Sequence, residues 1–314
     1  MLRTTHMRIT SDVTLEGVPR ERIVLLPKVE IFELTMATDG GPGYEIVTRI
    51  SCPSAKRTTI GREIFDHRII PEEIFPTSVS WDAIAHQYTP GPFEEVTLEM
   101  KLTSTVLCNL TFRTPSGAYI NLCFRAFPGE DTDDDDEDDD DEDPLAAEVY
   151  HQVFTQATRT IRNCPQLAKL KRLHIHHDFP SIPPVSFPRI ANEAGRLFKV
   201  LGPLDELTID RCDLRQYFHS FLGVTAGYVK EPVVFPPIKK LTILHPSFSS
   251  GGQFAKALVG LTKSHHERGI PFERVIIRTD HMLKEMEGEL GRWVRNVEYR
   301  FEEFSVELSE TEED

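Results

Sequence analysis

Apolar residues in the C-terminal half of the chain follow two alternating rhythms. Four segments, LAKLKRLHIHH from Leu167, LGPLDELTIDRCDL from Leu201, FPPIKKLTILHPSF from Phe235 and GIPFERVIIRTDHM from Gly269, share the spacing L-x-x-L-x-I. Their central apolar residues are Leu173, Leu207, Leu241 and Val275, 34 residues apart at each step. Ile175, Ile209, Ile243 and Ile277 follow two places later, and Leu170, Leu204, Ile238 and Phe272 stand three places earlier. Side chains alternate along an extended chain, so the last two apolar residues of each unit share a face. The residues between them include β-branched Thr208, Thr242 and Ile276, which suits a strand. Between these strands the period becomes helical. Ile190, Ala194, Leu197, Phe198 and Leu201 form one stripe, closed by Gly202-Pro203; Phe254, Ala257, Leu258 and Leu261 form another, closed by Gly269 and Pro271. Leu214, Phe218 and Phe221, then Leu283, Met286 and Leu290, give shorter stripes, and Ala146, Val149, Tyr150, Val153, Phe154, Ala157 and Ile161 predict a strongly amphipathic helix upstream.

Each unit therefore reads strand, turn, helix, return. None can bury its apolar face alone, so the units stack, and the expected fold is an α/β solenoid with parallel strands on the concave face and helices on the convex face. A two-helix array of the same period would have to absorb VIIR and LTILHP into helices interrupted by Pro236-Pro237. Further upstream, LLPKVEIFELTM, YEIVTRISCP, VTLEMKL and YINLCFRAF suggest more strands without the clean period. Gly40-Gly41-Pro42-Gly43 is expected to join strands 29–36 and 45–52 as a hairpin. The chain divides into a strand-rich part (1–127), an acidic insertion (128–144), the βα repeat part (145–304) and a short acidic tail (305–314). The two acidic segments are expected to be disordered and frayed, because like charges repel and nothing apolar offsets chain entropy.

The phrases LDELTIDRCDL, FPPIKKLTILHPSF, GIPFERVIIRTD and the closing WVRNVEYRF resemble the irregular leucine-rich-repeat region of fungal F-box proteins, over roughly 165–301. The resemblance implies a repeat domain that recognises a protein, preceded in full-length members by an F-box. It thus implies the substrate-recognition part of an SCF-type ubiquitin ligase, bound to the ligase adaptor only where an F-box lies upstream. IPEEIF at 70–75 has the opening rhythm of an F-box, but Pro76 follows at once, SVSW looks extended, and no leucine-rich second helix comes after. The segment reads as a connector between repeat strands, and no F-box is expected within the chain. Family repeats carry no catalytic residues, so none is transferred.

The total charge favours basic partners, but its distribution does not. The net charge is −15, yet residues 131–143, DTDDDDEDDDDED, hold 12 of the 50 carboxylates, and the remaining 38 acids face 35 bases. The rest of the chain is near neutral, which removes the electrostatic case for nucleic-acid binding. The acidic run itself supports an alternative function, a scaffold or chaperone-like binder of basic proteins. Five scattered cysteines without a CxxC pair read as reduced residues of an intracellular protein, cytoplasmic or nuclear. The N-terminus has no secretory h-region and no stretch is apolar enough for a membrane span, so no membrane association is expected.

Candidate chemistry is sparse. Alternation puts His174 and His176 on one face at a spacing that could chelate an ion, but no Cys or second His pair stands in register, so they read as exposed polar residues and no metal is assigned. His265-His266 fall in a helix's last turn, where positive charge would meet the negative end of the dipole. Neither Gly40–Gly43 nor the SSGG stretch at 249–252 carries the Lys-Ser/Thr or helix start of a phosphate loop, and no G-x-S-x-G turn presents a nucleophile. No catalytic residues and no cofactor are expected; the chain reads as a non-enzymatic protein-interaction module. Its partner-binding residues are those flanking the inward Leu/Ile pairs on the concave face: Arg172, His174 and His176; Glu206, Thr208 and Asp210; Lys240, Thr242 and Leu244; Arg274, Ile276 and Arg278. This mixed-charge strip suits a protein better than a phosphate backbone.

Overall fold

The four strands of the 34-residue period pair in register. In the computed structural model Leu173 lies opposite Leu207, Leu207 opposite Leu241 and Leu241 opposite Val275, all in parallel pairing. The structure describes residues 4–9, 23–37, 43–64, 74–76, 78–88, 91–102, 105–127, 144–164, 167–178, 187–210, 235–244, 251–279 and 284–301. The acidic run 131–143, the Leu214–Phe221 stripe and the tail 305–314 lie outside the described residues.

The fold is mixed α/β, built on one eleven-stranded and mostly parallel sheet. In chain order the strands are β1 (Thr4–Ile9), β2 (Val24–Leu25), β3 (Ile31–Ala37), β4 (Ile50–Ser51), β5 (Arg57–Ile64), β6 (Glu95–Leu102), β7 (Val106–Arg113), β8 (Tyr119–Ala126), β9 (Arg172–Asp178), β10 (Leu204–Asp210), β11 (Ile238–Leu244), β12 (Arg274–Thr279) and β13 (Asn296–Phe301). Across the sheet the order is β1-β3-β5-β8-β7-β6-β9-β10-β11-β12-β13, while β2 and β4 form a separate two-stranded pair. The strand-rich N-terminal part is thus continuous with the repeat strands, since β6 pairs parallel with β9 and sets Val96 beside Leu173.

One strand runs against the rest. β6, β7 and β8 form an antiparallel meander with Leu98 opposite Leu110 and Leu110 opposite Leu122. The chain leaves β5, crosses to β6, folds back through two hairpins so that β8 lies beside β5, and crosses again to β9. The first crossover carries helix α1 (Ser78–Tyr88) and the second carries α2 (Pro144–Arg162). The β7–β8 turn closes on Gly117, whose φ of +85° is left-handed.

One sheet face is dry. Phe32, Leu34, Ile60, Leu98, Leu110, Leu122, Leu173, Leu207, Leu241 and Val275 are fully buried, in one core with the helices. Helix α1 contributes Trp81, Ile84, Ala85 and Tyr88, and α2 contributes Val149, Tyr150, Val153, Phe154, Ala157 and Ile161. Helix α3 (Phe187–Val200) supplies Ile190, Ala194, Leu197 and Phe198; α4 (Gly251–Glu267) supplies Leu258 and Leu261; and α5 (Lys284–Leu290) supplies Met286 and Leu290. The described members of the α2, α3, α4 and α5 stripes read from the sequence lie in these buried faces; Leu283 lies outside the described residues, as do the side chains of Ala146, Phe254 and Ala257. Helix α4 ends as expected at Gly269. That residue has φ +74°, and the amide of Ile270 reaches back to the carbonyl of His265 at 3.0 Å. A Cβ there would touch nothing within 4 Å, so Gly269→Ala is expected to cost about 1 kcal/mol through backbone strain alone, read as a shift of the urea midpoint at constant m-value.

Three expectations are corrected. SVSW opens helix α1 instead of being extended, because Trp81, Ile84, Ala85 and Tyr88 form an i, i+3, i+4, i+7 stripe with the core on one side. Residues 45–52 do not form a hairpin strand with 29–36. They make 3-10 turns at Gly43–Glu45 and Val47–Arg49 and then the two-residue β4, while β3 pairs in parallel with β1 and β5. Tyr44, Ile46, Val47 and Ile50 are all buried, a spacing closer to helical than to strict alternation. Finally, His265 does not meet the helix dipole as a cation. It is 1% exposed, stacked on Phe272 at 4.3 Å and edge-on to Phe235 at 5.9 Å, and burial pushes its pKa down to about 4.

Candidate functional site

The opposite face of the sheet is not covered in the same way, and it carries all twelve residues expected to meet a partner. Pairing arranges them in three rows across β9 to β12. The first is Arg172, Glu206, Lys240 and Arg274, the second His174, Thr208, Thr242 and Ile276, and the third His176, Asp210, Leu244 and Arg278. Strands stand about 4.8 Å apart, so side chains in a row touch their neighbours.

The first row is charged throughout, with Glu206 between Arg172 and Lys240 and with Lys240 and Arg274 side by side. Arg172 Nε donates to Glu95 Oε2 at 2.9 Å, Lys240 Nζ donates to Glu206 Oε1 at 2.7 Å, and Arg274 is bonded to Glu298. Burial alone would raise the Glu206 carboxyl; the hydrogen bonds from Lys240 and Thr242 outweigh it and hold the pKa below the ordinary glutamate value. Glu298 is likewise held down by hydrogen bonds from Arg274 and Arg300. The third row contains His176 Nδ1 2.7 Å from Asp210 Oδ2.

The second row departs from expectation. Thr208, Thr242 and Ile276 point away from the core but are only 7%, 7% and 6% exposed. Glu206 reaches across from the first row to accept a hydrogen bond from Thr242 Oγ1 at 3.3 Å, and the middle row forms a floor between its neighbours. His174, also in this row, is partly exposed. Its pKa is lowered by burial against the opposing pull of Glu95 and Glu206, and its Nε2 is buried without a hydrogen-bond partner.

The two-histidine spacing holds geometrically, since His174 and His176 share the open face, whereas His177 turns inward to bond Tyr150. Among the described residues no group of three or more His, Cys, Asp or Glu side chains converges on a point that could hold a metal. Cys52, Cys108 and Cys164 are buried free thiols and Cys123 is a free thiol on the open face; Cys212 lies outside the described residues. No helix among the described residues is long and apolar enough to cross a membrane.

Of the IPEEIF segment, Ile74 and Phe75 are described, and they are fastened to the core. Ile74 is fully buried, its amide donates to Gln156 Oε1 at 2.6 Å, and its carbonyl accepts from the Tyr44 hydroxyl at 2.9 Å. Phe75 is buried 6.5 Å from Phe124. These two side chains are part of the fold's interior and face no external protein.

The open face also extends where the sequence analysis did not look. On β5, β8, β7 and β6 the first row continues as Arg57, Tyr119, Arg113 and Glu95, the second as Thr59, Asn121, Thr111 and Thr97, and the third as Gly61, Cys123, Asn109 and Glu99. The strict alternation of Val106, Cys108, Leu110 and Phe112 was the signal for β7. In β5 the same signal is broken by Arg62, buried on the core side. No protein-family model, curated protein or solved structure matches the chain, so the face must be interpreted from its own geometry.

Proposed function

We propose that the chain is a non-enzymatic protein-interaction module of leucine-rich-repeat-like solenoid type, whose open sheet face docks a protein partner. The observation that carries this reading is the arrangement of mixed charges from four strands of one 34-residue period into common rows on a single face. Rows of fixed, mutually oriented charges beside apolar Leu244 suit the patterned surface of a folded protein. Together with the resemblance to fungal F-box proteins, this supports a role as the substrate-recognition part of an SCF-type ubiquitin ligase, joined to the adaptor only where an F-box lies upstream. Free thiols at four described cysteines fit the cytoplasm or nucleus. The acidic run 131–143 favours a second reading, a scaffold or chaperone-like binder of basic proteins.

Affinity capture with the full chain tests these readings. Specific partners, with the ligase adaptor among them when an F-box is fused upstream, are expected to be lost when Lys240→Ala and Arg274→Ala are combined, while the melting temperature stays near that of the parent. Capture that ignores this pair and disappears on deleting 131–143 or on adding salt would replace the first reading with the second.

A further inference from the structure

We infer that the β5–β8–β7 part of the open face accepts an acidic, extended protein segment, gripped by Arg57 and Arg113 on either side of the Tyr119 ring. The inference rests on the reading of this face as a protein-docking surface and gives that surface a ligand class.

Arg57, Tyr119 and Arg113 are neighbours in one row on three adjacent strands, so the two arginines stand roughly 10 Å apart with the phenol between them. Their guanidinium carbons lie 5.7 and 5.8 Å from the centre of that ring. Arg57 Nε donates to the Tyr119 hydroxyl at 2.8 Å, which orients the guanidinium and leaves its terminal nitrogens without a carboxylate among the described residues. Among the described residues the carboxylate contact of Arg113 is a long one, 3.6 Å, to a Glu95 that Arg172 already engages at 2.9 Å. Both guanidiniums are exposed, preset by cation–π contact, and under-neutralised.

The ground beside them is open. Thr59, Asn121 and Thr111 in the next row are partly exposed, unlike the covered Thr208, Thr242 and Ile276 further along the sheet. Thr111 donates to Asn121 Oδ1 at 3.2 Å, and no described residue accepts from the Asn121 amide nitrogen. Beyond Gly61, Cys123 and Asn109 stands another exposed cation, Arg125, whose nearest described carboxylate, Glu63, is 3.9 Å away. A floor of short hydrogen-bonding side chains between cationic margins complements a peptide backbone with carboxylates on its flanks. From β6 onward the face is mixed, with Glu95, Glu99 and Glu206 engaged by Lys101, Arg172 and Lys240, so the cations without a close carboxylate that an acidic segment needs are those of the first three strands.

The test is fluorescence anisotropy with the full chain and a labelled peptide of alternating glutamate and threonine, at about 50 mM salt. Saturable binding is expected. It should weaken at least tenfold in Arg57→Gln/Arg113→Gln, fall on adding salt, vanish for the glutamine version of the peptide, and be untouched by Lys240→Ala/Arg274→Ala. The glutamine pair keeps polar stems, and an unchanged melting temperature shows that the fold survives. Absence of saturable binding, indifference to the Arg57/Arg113 pair, or equal binding of the glutamine peptide overturns the inference. A single-stranded oligonucleotide that binds more tightly through the same arginines overturns it in favour of a phosphate ligand. Partner capture that still depends on Lys240 and Arg274 while the peptide fails removes this inference alone; capture indifferent to the whole open face removes the docking surface itself.

Discussion

Trp81→Ala is expected to destabilise the chain by about 3–5 kcal/mol, a large share of the total stability of a domain. Trp81 has no exposed surface and sits where α1 crosses the meander, 4.6 Å from the Phe112 ring and 5.9 Å from the Phe93 ring. Removing the indole leaves a cavity between a helix and a central strand, and neither element can close it without breaking ladder hydrogen bonds. Phenylalanine at this position separates packing from polarity. The indole nitrogen of Trp81 is buried without a partner, so part of what the ring gains by burial is offset by an unsatisfied donor. Trp81→Phe keeps the aromatic contacts, deletes that donor, and should cost less than half as much. On the other face, Thr111→Ala should cost no more than about 1 kcal/mol. Urea unfolding followed by circular dichroism measures all three; an alanine variant within 1 kcal/mol of the parent would show that α1 does not cover the sheet.

That contrast between faces follows from the part of the fold that is most legible. A period of 34 residues with apolar pairs two apart leaves few arrangements other than stacked parallel strands, and Leu173, Leu207, Leu241 and Val275 stand in one ladder for that reason. Helices α3 and α4 were equally legible, because burying one stripe of a helix and one face of a strand demands the two periods that the sequence carries. Less legible was the N-terminal half. Its strands have the right alternation, but their neighbours are set by chain crossovers spanning the meander, and local pattern does not reveal that β8 rather than β6 lies beside β5. In β5 the alternating residues are Thr58, Ile60, Arg62 and Ile64, and two polar members hide the buried face.

The candidate face was legible in composition and misleading in exposure. Alternation correctly separates Thr208 from Leu207, but it does not show that Glu206 reaches across to Thr242 or that the middle row is nearly buried. Nor does it reveal Arg57, Tyr119 and Arg113 as a group, since they lie on three strands and meet only through pairing between residues 62 apart and across a hairpin. Interior histidines failed for a related reason. A histidine near a helix end looks like a cation meeting a dipole until the aromatic rings that desolvate it are in place.

Those histidines make stability fall as the solution becomes acidic, beginning well above the carboxylate range. Burial holds the pKa of His177 down at about 3 and that of His265 down at about 4, against 6.5 for the unfolded chain. Both are neutral in the fold, so as pH drops below 6.5 the unfolded chain takes up protons that the folded chain refuses, and unfolding becomes easier. The contribution is whole above pH 6.5 and is lost progressively toward pH 3 to 4. Each histidine can lose up to about 1.4 kcal/mol per pH unit within that window, so the pair should cost several kcal/mol between pH 6.5 and pH 4.5. Between pH 6.5 and 5.5 most carboxylates remain ionised in either state, which assigns the early slope to histidine. His265→Phe isolates one member. A phenyl ring keeps the contacts with Phe235 and Phe272, gives up a long hydrogen bond of 3.3 Å to Ile270, and removes an imidazole Nε2 that is buried without a partner. Its unfolding free energy at pH 7.5 should lie within about 1 kcal/mol of the parent, and its slope from pH 6.5 to 5.5 should be shallower by about 0.7 of a proton. Urea unfolding at half-unit pH steps reads both quantities. A parent curve that is flat over that interval, or a variant that tracks the parent, would mean that His265 is hydrated and charged in the folded chain, and the aromatic cage built from Phe235 and Phe272 would have to be open to water.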